Sequence, residues 1–138
     1  MSYDHEAIGE LIGSDYKPKI HKLKTDPEAF SAVLCGEKTY EIRYNDRNYQ
    51  AGDILVLKET KLTGLEMKQG SLLEYTGRQC GGVITHVLSG PVYGLQEGWA
   101  ILSLYLSDVL EYKDFTEAEK RRFHKNIRRI EVGVWNGR

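Results

Sequence analysis

The sequence predicts an α+β domain: a small, mostly antiparallel β-barrel with a helix packed against it, plus a C-terminal amphipathic helix. Two observations support this class. A strand and a helix are followed by several strands at short spacing, an order that favours antiparallel pairing over alternating βαβ units. The 138 residues, 41% of them hydrophobic, are enough for one core of ordinary size.

The first strand and the first helix have clear local signals. Residues 19–24 are strand-like, and residues 25–28 (Thr-Asp-Pro-Glu) combine a capping side chain, a proline of the first turn and an acidic residue. This combination is typical of a helix start. One helical stripe follows, formed by Phe30, Val33 and Leu34. Gly36 stands where a glycine commonly ends a helix.

Residues 38–44 alternate in polarity and predict a half-buried strand. One face is formed by Tyr40, Ile42 and Tyr44, which we expect to point into the core. The other face is formed by Thr39, Glu41 and Arg43. Residues 54–57 are apolar throughout, which predicts a central strand covered on both sides.

The middle of the chain has weaker signals. Residues 58–82 are rich in glycine and charge and predict a long excursion or hairpin, with a turn at residues 75–78. Residues 83–88 and 99–106 predict two more strands, joined through a loop that contains glycine and proline.

The C-terminal segment predicts an amphipathic helix that starts at a capping box in residues 116–119. Its apolar stripe comprises Phe123, Ile127 and Ile130. Its basic face comprises Arg121, Arg122, Lys125, Arg128 and Arg129. Two interpretations of this basic face have equal weight: a solvated surface partly neutralised by the acidic residues 1–16, or an electrostatic track for nucleic-acid phosphate. Residues 132–135 predict a last short strand, and residues 5–12 predict a short helix.

Composition excludes several classes of protein. The charged fraction of 28% and the ordinary apolar fraction exclude a disordered chain. Cys35 and Cys80 are too few for a disulfide framework or a Cys/His metal cluster, so we expect no metal and no other cofactor. No export signal is visible, and the longest apolar run is far shorter than the roughly 20 residues that span a membrane. We therefore expect a cytoplasmic protein without membrane contact.

The run Gly-x-Lys-x-x-Glu-x-Arg is present, with its fixed positions at Gly36, Lys38, Glu41 and Arg43. It resembles the signature of ASCH domains, a branch of the PUA-like superfamily. Further segments resemble a bacterial and phage subfamily of unassigned function, namely residues 21–24, Pro27, Phe30, and residues 45–47, 52–55 and 75–78. The resemblance covers residues 19–106. We therefore expect an acidic extension at residues 1–18, a PUA-like domain, and a basic helix and tail at residues 107–138.

The resemblance implies a cleft between barrel and helix that is lined by Lys38, Glu41 and Arg43 and binds RNA or a nucleotide. Lys38 and Arg43 would meet phosphate, with Arg43 bidentate. Glu41 would accept a hydrogen bond from a base amine, as carboxylates do from cytosine. Other residues expected to contribute are His21, Lys24, Arg47 and Arg78. The plain structural alternative is an exposed strand face with a weak pair between Glu41 and Arg43.

Two other functions stay open. Some ASCH relatives resemble hydrolases, so one alternative is a metal-independent hydrolase of RNA or a modified nucleoside, with Lys38 and Glu41 as catalytic candidates and Lys38 as base. Glu41 would instead keep the ammonium of Lys38 charged, and it stands where the deacetylating branch has a small hydroxyl residue, which weakens that activity. The other alternative is a protein-interaction domain that uses residues 99–106 or the helix around Phe123.

Overall fold

The computed structural model describes residues 16–108 and 110–135, with side chains described as far as residue 127. The strands are β1 (Ile20–Thr25), β2 (Tyr40–Tyr44), β3 (Ile54–Thr60), β4 (Tyr75–Ser89) and β5 (Trp99–Asp108). The helices are α1 (Pro27–Leu34), α2 (Gly64–Lys68) and α3 (Glu117–Trp135), with a 3-10 turn at Tyr112–Asp114. This order confirms the predicted α+β class with a C-terminal helix.

The five strands form one sheet in the order β1-β3-β4-β5-β2. β5 pairs antiparallel with both β4 and β2, and β2 lies at one end of the sheet. The predicted central strand is confirmed, because β3 lies between β1 and β4 and its residues 54–57 are all buried.

The chain divides into two compact units, each assembled from three segments. The described part of the first unit comprises residues 16–23, 39–57 and 80–108, and its core includes Ile54, Leu55, Ile84 and Leu102. The described part of the second unit comprises residues 24–38, 58–79 and 110–135. There α1 buries Phe30, Val33 and Leu34, which confirms the predicted helical stripe.

The alternation of β2 is confirmed, but the prediction of which face is buried is wrong. Tyr44 is 57% exposed and Tyr40 and Ile42 are also exposed, whereas Glu41 is only 4% exposed. The pairing with β5 gives the reason. Glu41 lies opposite Leu102 and Arg43 lies opposite Ala100, and both β5 residues are fully buried. The face with the ion pair therefore turns inward, and the tyrosines turn outward.

The prediction of a long excursion or hairpin at residues 58–82 is wrong in part: β3 and β4 are neighbours in the sheet, but much of the segment belongs to these strands and to a helix. β3 continues to Thr60, and α2 follows with a capping box between Thr63 and Glu66. The predicted turn at residues 75–78 is instead the beginning of β4. Two hydrogen-bonding side chains of this segment, Thr76 and Arg78, contact Glu59 on β3, and these contacts hold the glycine-containing stretch in the strand.

α3 begins with the predicted capping box. The Thr116 backbone N–H donates to the Glu119 carboxylate over 2.8 Å, and the Glu119 N–H donates to the Thr116 hydroxyl over 3.1 Å. The helix continues to Trp135, so the strand predicted at residues 132–135 is wrong. The helix predicted at residues 5–12 lies outside the described residues. Among the described helices, none has an apolar stretch long enough to span a bilayer.

Candidate functional site

A cavity of about 330 Å³ opens on the first unit beside β2. It is lined by Leu23, Ile42, Arg43, Tyr44, Asp46, Arg47, Tyr49 and Trp99. Two of these side chains are guanidinium groups, one is a carboxylate and three are aromatic. The cavity has the size of a small-molecule site and the mixture of apolar walls and a few charged groups that is typical of one.

The turn after β2 places two charged side chains at the cavity. The Asn45 side-chain oxygen accepts a hydrogen bond from the Tyr49 backbone N–H over 2.9 Å, which closes the turn. The Asn45 N–H donates to the Gly98 carbonyl over 2.7 Å, which ties the turn to the loop before β5. Arg47 donates through Nη1 to the Lys22 carbonyl over 2.9 Å, so this exposed guanidinium is held beside the cavity.

Arg43 is oriented by Glu41. Its Nε and Nη2 atoms donate to Oε2 of Glu41 over 3.2 and 3.1 Å, and the Glu41 side chain is almost completely buried. A buried carboxylate that holds a guanidinium is poorly placed to accept from a base amine. Glu41 positions Arg43, which lines the cavity, and the base-binding role of Glu41 stays a prediction.

Tyr44 and Trp99 form an aromatic wall. They are register partners on β2 and β5, and their rings meet edge to face with centroids 5.8 Å apart. Gly98 makes room for this arrangement, because a Cβ at that position would lie 2.6 Å from the Tyr44 ring. The pairing of β2 with β5, together with the glycine at position 98, therefore sets where the exposed ring of Tyr44 lies.

A buried carboxylate, Asp53, is linked to the cavity through His21 and Tyr49. It accepts hydrogen bonds from the Tyr16 hydroxyl, from His21 Nε2 over 2.9 Å, and from the backbone N–H groups of Lys19 and Gln50. The His21 ring in turn contacts the ring of Tyr49 edge on, at 4.8 Å between centroids, and Tyr49 lines the cavity. His21 thus contributes to the site through Tyr49.

These hydrogen bonds stabilise the ionised form of the Asp53 carboxyl group. Burial raises the pKa of its carboxyl, but the hydrogen bonds from Tyr16, His21, Lys19 and Gln50 outweigh burial and lower the pKa below its usual range. Burial and the negative charge of Asp53 raise the pKa of the Tyr16 hydroxyl, which stays protonated and donates. The sequence predicts Asp53 only as part of a turn. The signal for its structural role is its position, because it is an acidic residue directly before an all-apolar strand.

The other predicted residues belong to the second unit, where Arg78 lies in a buried ion network. It donates to Glu59 over 2.8 Å and to Glu119 over 2.8 and 3.1 Å, and these hydrogen bonds raise the pKa of Arg78. All three of its guanidinium nitrogens have partners in this network. Arg78 therefore organises the second unit. Lys24 and Lys38 also belong to the second unit, and their nucleotide-binding role stays a prediction.

The basic face of α3 is partly neutralised. Arg122 donates to both Glu28 and Glu37, while Arg121 and Lys125 are exposed. The side chains of Arg128 and Arg129 lie outside the described residues. Within residues 16–108 and 110–127, no cluster of His, Cys, Asp or Glu side chains is placed to hold a metal ion.

Comparison with known proteins finds a family but no assigned activity. The sequence model of the family described as Domain of unknown function (DUF3850) matches residues 20–104. An uncharacterised 12.9 kDa protein in the GpA 3′ region of Escherichia phage P2 is 32% identical over 117 residues. That alignment covers 85% of this chain and 95% of the phage protein.

Proposed function

The chain belongs to the family Domain of unknown function (DUF3850), and we propose that it binds a nucleotide unit, free or within single-stranded RNA, in the cavity of its first unit. The observation that carries the proposal is that two arginines and two exposed aromatic rings meet at one cavity. The resemblance of residues 36–43 to the ASCH signature of the PUA-like superfamily supports the same chemistry.

Arg43 and Arg47 are the phosphate ligands in this proposal. A guanidinium presents paired donors that match two phosphate oxygens, and it stays charged at every physiological pH. Both groups are oriented before a ligand arrives, Arg43 by Glu41 and Arg47 by the Lys22 carbonyl. Such preorganisation lowers the entropy lost on binding.

The base is held by the aromatic wall. Tyr44 and Trp99 are aromatic rings, and a nucleic-acid base can stack on an aromatic ring whichever of the four bases it is. The exposed carboxylate of Asp46 lines the same cavity and is able to accept a hydrogen bond from an exocyclic amine. Stacking provides affinity, and Asp46 provides a preference for bases that carry an amine.

Lys38, the base of the hydrolase alternative, is not among the eight described residues that line the cavity. The lining groups able to transfer a proton are the carboxylate of Asp46 and the hydroxyls of Tyr44 and Tyr49. The hydrolase alternative with Lys38 as base therefore gains no support from this cavity, and its test is whether bound RNA stays intact.

The proposal is tested by fluorescence anisotropy with a labelled single-stranded RNA and by competition with nucleoside monophosphates. We expect Arg47→Ala and Trp99→Ala each to weaken binding about tenfold. Arg43→Lys, which keeps the positive charge but cannot reproduce the two hydrogen bonds that Nε and Nη2 donate to Glu41, should weaken binding about fivefold, because the charge at the cavity is then no longer held in one orientation. Lys61→Ala is the matched control, since this exposed lysine pairs only with Glu74 among the described contacts of the second unit.

Unchanged binding by Arg47→Ala and Trp99→Ala, with unchanged melting temperatures, would show that the cavity is not the site. The recovered RNA is also analysed on a denaturing gel. A shortened product that requires the intact protein would favour the hydrolase alternative over a binding module.

A further inference from the structure

An exposed apolar surface continues from the cavity along β2 and β5. Directly paired residues of antiparallel strands share a face, and the register pairs Tyr44 with Trp99, Ile42 with Ile101 and Tyr40 with Ser103. Tyr105 follows on the same face of β5 and is 66% exposed. We call this surface the aromatic face; it consists of Tyr40, Ile42, Tyr44, Trp99, Ile101, Ser103 and Tyr105.

We propose that the aromatic face binds successive bases of a single-stranded RNA whose first nucleotide occupies the cavity. This inference rests on the proposed function and names its ligand as an oligonucleotide. Three residues, Ile42, Tyr44 and Trp99, belong to both the cavity and the face, so a strand that leaves the cavity passes directly onto it.

The dimensions of the face suit several bases. From Trp99 to Tyr105 the strand advances about 20 Å at about 3.4 Å per residue. A stacked nucleic-acid strand advances about 3.4 Å per nucleotide, so this length exceeds that of a single nucleotide. None of the seven residues of the face is acidic, so phosphates that pass over it meet no carboxylate from these residues.

Exposed rings at the far end of the face favour a single strand over a duplex. The bases of a duplex are already stacked on one another and hide their ring faces, whereas unpaired bases can stack on Tyr40 and Tyr105. A large exposed apolar patch usually marks an interaction surface, and its continuity with the cavity that Arg47 lines favours a partner with both an anionic group and aromatic rings.

The test compares a nucleoside monophosphate with an RNA octanucleotide in the intact protein and in variants. We expect Tyr105→Ala and Tyr40→Ala to weaken octanucleotide binding about five- to tenfold while monophosphate binding stays unchanged. Tyr93→Ala is the matched control, because Tyr93 is a 94% exposed tyrosine of the first unit outside this face. A duplex of the same sequence should bind about tenfold more weakly than the single strand.

The outcomes separate this inference from the proposed function. The inference would be overturned if the octanucleotide bound no more tightly than the monophosphate and Tyr105→Ala left its affinity unchanged. If Arg47→Ala still weakened monophosphate binding in that case, the proposed function would stand. Insensitivity to Arg47→Ala and Trp99→Ala would overturn the proposed function itself. A dimer in sedimentation experiments that Tyr105→Ala dissociates would also overturn the inference, because a second copy would then cover the face.

Discussion

Two enclosed carboxylates, Asp53 in the first unit and Glu119 in the second, each gather hydrogen bonds from distant parts of their own unit. Asp53 accepts from residues 16–21 and from residue 50. Glu119 accepts from Ser31 over 2.5 Å, from Arg78, and from the Thr116 backbone. Removing an acceptor of this kind leaves several buried donors without a partner, which costs far more than a surface contact.

We expect Asp53→Asn to lower the free energy of unfolding by about 3 kcal/mol, because an amide carries only one acceptor oxygen and cannot serve all four donors. Urea denaturation measures this change. Asp46→Asn is the control, since it removes an exposed carboxylate from the neighbouring turn. A loss below about 0.5 kcal/mol for Asp53→Asn would show that the carboxylate does not organise the first unit.

Ionisation of Glu119 should make the free energy of unfolding depend on pH in the acid range. Burial raises its pKa, but hydrogen bonds from Arg78, Ser31 and Thr116 outweigh burial and lower the pKa from 4.5 to about 2. Because the folded value lies below the unfolded value, the stabilisation is complete above pH 4.5 and is lost as the pH falls towards 2. We expect Glu119→Gln to lose about 3 kcal/mol at neutral pH and to show a flatter stability profile between these limits.

The control for this prediction is Glu117→Gln on the same helix, since the Glu117 side chain is exposed and pairs only with Lys120 among the described residues. Chemical denaturation at a series of pH values measures both variants. Parallel pH profiles for the wild type and Glu119→Gln would contradict the assignment of the acid dependence to Glu119.

At the scale of elements, the close contact between β4 and β5 depends on Gly82. A Cβ at this position would lie 2.2 Å from the Tyr105 carbonyl oxygen, next to a register shift between Gly81 and Gly82. Backbone atoms cannot give way cheaply, so we expect Gly82→Ala to destabilise the protein by about 3 kcal/mol in thermal or urea unfolding. Gly64→Ala in α2 should change stability by less than about 1 kcal/mol, because its Cβ would meet only a side-chain oxygen at 3.7 Å. Equal effects of the two substitutions would contradict this account.

Elements with a strong local signal could be predicted from the sequence. The start of α1 at residues 25–28, the capping box of α3 and the buried strand at residues 54–57 all have signals in neighbouring residues. Within the part of the chain that the structure describes, the capping bond predicted for α1 is absent, and the Asp26 side chain instead accepts a hydrogen bond from the Gly64 N–H. The segment at residues 75–78 has the composition of a turn, but its contacts with Glu59 lie 17 and 19 residues away along the chain. Sequence periodicity carries no information on such long-range contacts.

The candidate site was predictable to a similar extent. Arg43 and Arg47, two of the residues predicted to bind a nucleotide, line the cavity, whereas Lys38 and Glu41 are not among its described lining residues. The nucleotide-binding role of all four residues stays a prediction. Alternation showed that β2 has two faces, but hydrophobicity alone assigned the tyrosines to the core. The register with β5 places Glu41 and Arg43 on the inner face, where the two side chains form an ion pair, and the tyrosines lie on the outer face. Only the register with β5 reveals that Trp99 stands beside Tyr44.

At the scale of the whole molecule, charge is nearly balanced, with 19 Lys+Arg against 20 Asp+Glu. Overall charge therefore gives no general attraction to nucleic acid, and binding depends on local groups. In the second unit Arg122 is neutralised by Glu28 and Glu37, and Lys120 by Glu117. Of the basic face, Arg122 is thus neutralised, whereas Arg121 and Lys125 are exposed, so both interpretations of that face stay open.

The dependence of RNA binding on salt distinguishes the two interpretations of the basic face. Two phosphate contacts, from Arg43 and Arg47, give a slope of about −1.4 for the logarithm of the affinity against the logarithm of salt concentration on a single strand. We expect anisotropy titrations between about 50 and 200 mM salt to give this shallow slope. The double variant Arg121→Gln/Lys125→Gln should leave it unchanged, since these exposed residues of α3 take no part in the cavity. A slope steeper than about −3 that the double variant reduces would instead show that α3 is a phosphate track.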